Sequence, residues 1–427
     1  MPRSENIIVA LDIGTTKICA LIGEATDENQ IKVIGVGRSP SKGLKQGVVV
    51  NFEDTVNSIR RAVERAETQA DMHVDRLYAG IAGEHIRSTN SRGVIAVSNE
   101  DNEIVRNDVD RVVQAARQIG LPRDQQIIHA IPQEFIIDDQ GGIREPVGLS
   151  GVRLEAIVHI VTGSVTSAAN ILKCVRRAGY EVADLVLEPI ASSYSVLSAD
   201  EQELGVILLD IGGGTTDYSL FYQGAVRHSG VVAVGGDYVT RDLAYGLRTS
   251  HADAELLKKR AGSCLIDAVD PDETVIVPKL GLGVTEQMRN GKLEHAVGVE
   301  RMIKQQILAE IISARMDEIL KMVRRELRRS EHFDLASGGM VLTGGASLLH
   351  GVAEMAEGIF GVPVRPGVPH GVSGLTEGLL DPAHATGIGL LQYGNRHRDA
   401  RLDATETGEG LLTAVVKWTQ RVMENWF

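Results

Sequence analysis

Two short stretches carry the residue types that polyphosphate chemistry needs. "LDIGTTK" places Asp12, Gly14, Thr15, Thr16 and Lys17 at the end of an apolar run. "LDIGGGTTD" places Asp210, Gly212, Gly213, Gly214 and Thr215 at the end of another. Glycine has no Cβ, so its backbone N–H can approach an anion closely. Threonine hydroxyls add donors. A carboxylate repels phosphate, so Asp12 and Asp210 make sense beside such turns when a Mg²⁺ stands between, held through water. One Asp-Gly-Thr turn is ordinary turn chemistry. Here the pattern occurs twice: residues 7–24 and 205–224 both run apolar strand, Asp, Ile, Gly, a Thr pair and a second β-rich run. Such a repeat predicts two structurally similar halves, each offering one hairpin to a nucleotide's phosphates. "VLTGGAS" (341–347) adds a strand, a turn with Gly344, Gly345 and Ala346, and a helix. That turn lets a flat group such as a purine and its ribose come close.

The elements that must position these residues follow from periodicity. The first 39 residues read as a three-strand meander. Residues 53–70 read as a helix, with Val56, Ile59, Val63 and Ala66 spaced by three and four. A strand over 74–83 follows. Residues 84–162 have a different texture, with short alternating runs, turns and a helix over 106–119. A helix over 164–180 and a strand then helix over 181–197 lead to the second hairpin. A long helix covers about 300–329, residues 338–360 read as strand, Gly turn and helix, and 384–394 closes the globular part. Residues 395–409, "NRHRDARLDATETGE", are polar and mixed in charge, as a flexible linker is.

The chain has 427 residues, 43% hydrophobic and 24% charged, ordinary for globular domains. A formal net charge of −13 argues against nucleic acid as a partner, which needs a basic face. Cys19, Cys174 and Cys264 are scattered, without zinc spacing, and read as reduced cytosolic thiols. The short apolar run at 7–14 reads as a strand rather than a signal peptide, and no stretch is apolar for long enough to span a membrane.

The two hairpins and the "VLTGGAS" turn resemble the two phosphate motifs and the adenosine motif of the actin/Hsp70/sugar-kinase ATPase superfamily. "LEPIASSYSVL" and "HATGIGLL" are similar to its two connecting helices. The resemblance covers about residues 7–394. It implies two α/β lobes with ATP and Mg²⁺ in the cleft between them. Asp12 and Asp210 would then face the metal, Gly235 and Gly236 would line the phosphate side, and Lys17 would reach a phosphate or stand exposed on its hairpin. Glu255 and Lys258, one helical turn apart, match positions around adenosine. Glu188 sits where relatives place a water-orienting group, the candidate catalytic residue, and Asp217 would stabilise the second hairpin.

The insertions discriminate within the superfamily. Only residues 40–52 separate the third strand from the first long helix, too short for the subdomain that actin and Hsp70 carry there. Residues 84–162 instead open a strand–helix unit further on. That relocated insertion, with residues 131–156 and 191–197, resembles the FtsA family of bacterial cell-division proteins. The fold expected is therefore α/β, an actin-like two-lobe ATPase fold with a relocated small subdomain in the first lobe and a C-terminal amphipathic helix. Residues 1–83 and 163–197 form the first-lobe core and 84–162 the inserted domain. Residues 198–226 and 306–394 form the second-lobe core and 227–305 its insertion. Residues 395–409 are the linker, and 410–427 the membrane-targeting helix. The resemblance implies self-association into filaments and tethering of the tubulin homologue FtsZ at the cytoplasmic face of the inner membrane, with other division proteins as further partners. Slow ATP hydrolysis would be secondary to that structural role. A soluble kinase or exopolyphosphatase-like enzyme on the same fold needs a positioned base and a small-substrate pocket, for which the sequence shows no distinct candidate. An Hsp70-like chaperone needs a peptide-binding domain after residue 394, and the remaining chain is too short for one.

The end of the chain, "LLTAVVKWTQRVMENWF", holds both tryptophans of the protein. At ~100° per residue, Leu411, Leu412, Val415, Val416, Trp418, Val422, Met423, Trp426 and Phe427 fall on one half of a helix. Tryptophans favour the bilayer interface, and Lys417 and Arg421 against one Glu424 suit an anionic lipid surface. A self-docked terminal helix is the alternative.

Overall fold

The computed structural model describes residues 6–26, 30–98, 101–278, 285–289, 292–296 and 300–397. The meander is β1 (Ile7–Ile13), β2 (Lys17–Ala25) and β3 (Ile31–Pro40), followed by a small hairpin, β4 (Leu44–Lys45) and β5 (Val48–Val49). Helix α1 (Phe52–Ala70) begins where the Asn51 side chain accepts a hydrogen bond from the Asp54 N–H, satisfying one orphan donor of the first turn. It buries Val56, Ile59, Ala62, Val63 and Ala66, the face that its apolar spacing defines. β6 (Arg76–Ile81) then leads into the inserted domain: β7 (Arg87–Ala96), α2 (Arg106–Ala116), β8 (Gln125–Ile137), β9 (Gln140–Ile143) and β10 (Arg153–Ser164). Its four strands lie in the order β7-β10-β8-β9, and α2 packs on them over a core of its own that includes Val109, Val112, Val113, Phe135 and Leu154.

The first lobe resumes with α3 (Val165–Ala178), β11 (Glu181–Leu187), α4 (Glu188–Val196) and α5 (Ala199–Leu204). The second lobe opens with β12 (Val206–Ile211), β13 (Thr216–Tyr222) and β14 (Ala225–Val232), then α6 (Gly236–Leu247) and α7 (His251–Ala261). Strands β15 (Thr274–Pro278), β16 (Thr285–Arg289), β17 (Lys292–Ala296) and β18 (Glu300–Lys304) form two antiparallel pairs, β15 with β18 and β16 with β17. Helix α8 (Gln305–Arg329), β19 (Met340–Thr343), α9 (Val352–Phe360), β20 (Val364–Pro366), β21 (Val372–Gly374) and α10 (Ala385–His397) complete the described chain.

The internal repeat is real strand by strand. In the first lobe β1, β2 and β3 pair antiparallel, and β6 joins β1 in parallel. In the second, β12, β13 and β14 pair antiparallel, and β19 joins β12 in parallel. The sheets run β11-β6-β1-β2-β3-β21 and β14-β13-β12-β19-β20; the second lobe has an apolar core of its own, while the first-lobe core also takes in Val206, Leu208, Phe221, Val226 and Val341 from the second-lobe sheet.

Three sequence expectations are corrected. Residues 395–397, expected to begin the flexible linker, continue helix α10, with Asn395 and His397 buried. Residues 300–304 are strand, not the start of the long helix, because they pair with β15. The stretch 306–394 does not lie wholly in the second-lobe core. β21 adds to β3 in parallel, and Leu379, Ala385, Ile388, Leu390 and Leu391 are buried in the first-lobe core. The chain thus crosses back after β20, and α10 lies against α4. The crossing is close: a Cβ on Gly389 would stand 1.8 Å from the Ala191 carbonyl oxygen. Only glycine permits that backbone approach.

Candidate functional site

The hairpin tips meet between the lobes. In β1–β2, Asp12 stands opposite Cys19; in β12–β13, Asp210 stands opposite Asp217. A Cβ on Gly213 would lie 2.4 Å from Thr16 Cγ2, and one on Gly214 2.4 Å from Thr15 Oγ1. The glycines of the second hairpin therefore leave the space that the threonines of the first occupy. Gly14 turns tightly over the Lys17 carbonyl. The Gly212 N–H bonds back to the Thr215 carbonyl at 3.0 Å.

Gly235 and Gly236 open α6 directly beneath the second hairpin. The Gly236 N–H donates to the Gly212 carbonyl at 2.9 Å, and the Asp237 N–H to the Gly213 carbonyl at 2.8 Å. A Cβ on Gly236 would lie 3.0 Å from Ala346 Cβ and 3.6 Å from Lys258 Nζ. Lys258 is buried, donates to the Gly236 carbonyl at 3.0 Å and to Thr240 Oγ1 at 2.8 Å, and pairs with Glu255 at 2.7 Å. Gly344 has φ +85°, and a Cβ there would stand 2.3 Å from Asp210 Oδ1. The turn of the third motif thus presses against the second aspartate, with Gly345 and Ala346 opening the next helical turn.

Four carboxyl groups converge in this cleft. Asp12 and Asp210 are buried, each 7% exposed. Burial, and beyond it the charge of Asp210, lifts Asp12 to about 6 against the favourable pull of Lys17. Burial lifts Asp217 to about 8, with Asp210 adding to it. Glu188, the first residue of α4, is pushed well above the carboxylate range by burial and by Asp217, Asp12 and Asp210. Lys17 Nζ is engaged with other partners: it donates to the Ala383 carbonyl and lies 3.1 Å from His384 Nδ1. Two buried carboxylates with raised pKa values suit a divalent cation. Among the described residues no group of three or more His, Cys, Asp or Glu could cage a metal. That donor set fits Mg²⁺, which is commonly held by one or two carboxylates together with substrate phosphates and water.

Ser192 and Thr386 were not singled out by sequence reasoning. Ser192 Oγ donates to Asp210 Oδ2 at 2.9 Å, Thr386 Oγ1 donates to the same oxygen at 3.3 Å, and the two hydroxyls lie 3.0 Å apart. They sit on α4 and α10, so the crossing helices fix the second-lobe aspartate. The signal was present in "ASSYS" and "HATG", where hydroxyls recur on helices otherwise read as packing. The tail residues Leu411 to Phe427 lie outside the described residues.

These observations define the class: two α/β lobes of matching topology, joined by two crossing helices, with an Asp-bearing hairpin from each lobe. The solved PilM–PilN type IV pilus biogenesis complex shares this fold with a TM-score of 0.66 at 17% identity, covering 92% of this chain and 99% of that one. MreB5 of Spiroplasma citri bound to ADP shares it with a TM-score of 0.54 at 12% identity, covering 93% and 98%. The fold is actin-like. The family model for cell division protein FtsA matches residues 207–389, and that for the SHS2 domain inserted in FtsA matches 83–162. The chain is 46% identical to the cell division protein FtsA of Pseudomonas aeruginosa over 406 residues, 95% of this chain and 93% of that protein. It is 39% identical to that of Escherichia coli K12 over 424 residues, 97% and 96%. The chain belongs to the FtsA family of cell division proteins.

Proposed function

We propose that the chain binds ATP with Mg²⁺ between its lobes and assembles with copies of itself at the cytoplasmic face of the inner membrane. There it tethers FtsZ filaments and supports the arrival of other division proteins. The observation that carries the nucleotide reading is the contact of the hairpin tips, which brings buried Asp12 and Asp210 into one cleft whose carboxyl groups need a cation. Thr15, Thr16, Gly14 and Gly212–Thr215 would hold phosphates, and Lys17 would exchange its Ala383 and His384 partners for one. Gly235 and Gly236 would line the phosphate side, and Glu255, Lys258, Gly344, Gly345 and Ala346 would surround the nucleoside. Mg²⁺ supplies charge neutralisation between carboxylates and phosphates. Glu188 would accept a proton from water only as its carboxylate, the form that burial and the neighbouring carboxyl groups disfavour. In this reading any slow hydrolysis is secondary to assembly. Lipid binding is assigned to the apolar face from Leu411 to Phe427, weak for one helix and multiplied when a filament presents many.

Among the described residues no helix is long and apolar enough to cross a membrane. The nucleotide assignment is tested by titrating Mg-ATP into the full chain and into Asp210→Ala. A loss of about tenfold or more in affinity, the scale of one charge-assisted contact, is expected. Equal affinity would remove Asp210 from the site.

A further inference from the structure

The inserted domain is joined covalently to the first lobe, yet it grips the second. β14 is the edge strand of the second-lobe sheet, where unpaired carbonyls would ordinarily face solvent or another chain. Here side chains of the inserted domain take them. Ser88 Oγ donates to the Ser229 carbonyl at 2.6 Å, Asn90 Nδ2 to the Arg227 carbonyl at 3.1 Å, and Gln133 Nε2 to the Val226 carbonyl at 2.6 Å. Behind them runs a relay through Asn90, which is exposed, to buried groups. Asn90 Oδ1 lies 3.2 Å from Gln133 Nε2 and 2.7 Å from His159 Nδ1, and His159 Nε2 lies 2.9 Å from Ser229 Oγ. Asn90 Oδ1 can only accept, so the His159 proton sits on Nδ1 and Nε2 accepts from the Ser229 hydroxyl. Gln133, His159 and Ser229 are each at most 3% exposed. Further along, Gln46 of the first lobe donates to the Ala233 carbonyl at 2.6 Å and to Tyr238 Oη at 2.9 Å.

We propose that this clasp is a latch between the lobes, coupling the occupancy of the nucleotide cleft to the position of the inserted domain. The proposal rests on the nucleotide reading above. β14 runs on into Gly235 and Gly236, whose N-terminal turn is bonded to the second hairpin. A shift of that hairpin therefore moves the strand that the inserted domain holds. Three of the bonds run from a side chain to a β14 carbonyl and a fourth joins His159 to the Ser229 hydroxyl, so a shift of β14 along its axis would break them together. Water can compete for them, because beyond Ser88 and Ser229 the seam opens into a cavity of about 470 Å³ rimmed by Arg87, Arg325 and Arg329. Linkage then requires reciprocity: whatever Mg-ATP does to the clasp, loss of the clasp does to Mg-ATP affinity.

The test is hydrogen exchange on the full chain, wild type and Asn90→Ala/Gln133→Ala, with and without Mg-ATP, beside a direct measurement of ATP affinity. Without nucleotide, the variant is expected to exchange several-fold faster than wild type in both β7 and β14, with α1 unchanged as the control for folding. With Mg-ATP, wild type is expected to slow in β7 and β14 together. In the variant β14 slows and β7 does not, and ATP binds about fivefold or more weakly. Equal ATP protection of β7 in wild type and variant would overturn the coupling. Ser88→Ala, a smaller change at the rim, should show the same loss in weaker form, which a general unfolding would not. Absence of ATP binding to wild type would instead overturn the nucleotide reading and the coupling with it. The clasp itself is judged by the nucleotide-free arm, where identical exchange in wild type and variant would refute it.

Discussion

Asp12, Asp210, Asp217 and Glu188 crowd one cleft, with the Lys17 charge acting on Asp12 and Asp210, and their titration follows from that arrangement. Asp12 at about 6 must lose a proton before it can face a metal. Mg-ATP affinity is therefore expected to fall by about tenfold per pH unit below about 6, measurable by calorimetry across pH. An affinity independent of pH in that range would mean that Asp12 does not take part. Asp217 has a folded value of about 8, raised from 3.8 chiefly by burial. A raised value favours the protonated carboxyl, so its contribution to stability is present at low pH and lost as pH rises through about 8. Asp217→Asn is expected to match wild type below about pH 4 and to exceed it by a margin that grows from there up to about pH 8, passing about 1 kcal/mol within the first pH unit, in the ligand-free protein. Thermal denaturation of both chains checks this, and a constant difference across pH would contradict it. The aspartates and glycines were legible in the sequence because a hairpin tip is local: strand, Asp, Gly and Thr follow within a few residues. Ser192 and Thr386 were not, because their roles depend on a long-range crossing that leaves no period in the chain.

At the scale of elements, the helices α4 and α10 carry the account. They bring a hydroxyl each to Asp210, and they approach so closely that Gly389 has room only for hydrogen. Gly389→Ala is expected to push the helices apart and destabilise the fold by about 1–3 kcal/mol, with weaker Mg-ATP binding as Ser192 and Thr386 leave Asp210. Chemical denaturation and ATP titration report the two effects, and a variant unchanged in both would show that the crossing is loose. The strands of both hairpins and helices α1, α3 and α8 were readable from periodicity, since one buried face fixes the spacing. β21 and β18 were not. Three residues at 372–374 become a strand only because β3 offers an edge, and Met302 and Ile303 fit a helix or a strand until β15 pairs with them. The clasp on β14 was equally hidden: Ser88, Asn90 and Gln133 are ordinary polar residues until the inserted domain brings them to carbonyls more than ninety positions away.

The whole molecule joins three parts with separate demands: a two-lobed body, an inserted domain bridging the lobes, and a tail whose pattern suits a lipid surface. The body and the inserted domain match the FtsA family over their length, and the insertion could be placed from sequence because it interrupts a strand–helix unit that otherwise repeats. The tail is judged by its pattern alone, so its test is removal. A chain ending at Gly410 is expected to bind Mg-ATP as the full chain does and no longer to sediment with anionic liposomes; equal sedimentation would refute the anchor. The central claim unites nucleotide, self-association and membrane, and electron microscopy of the full chain on anionic lipid monolayers, with and without Mg-ATP, tests it most directly. Filaments lying on the lipid with Mg-ATP, and sparse or absent without it, are the expected result. A bare monolayer under both conditions, with the protein dispersed in solution, would contradict it.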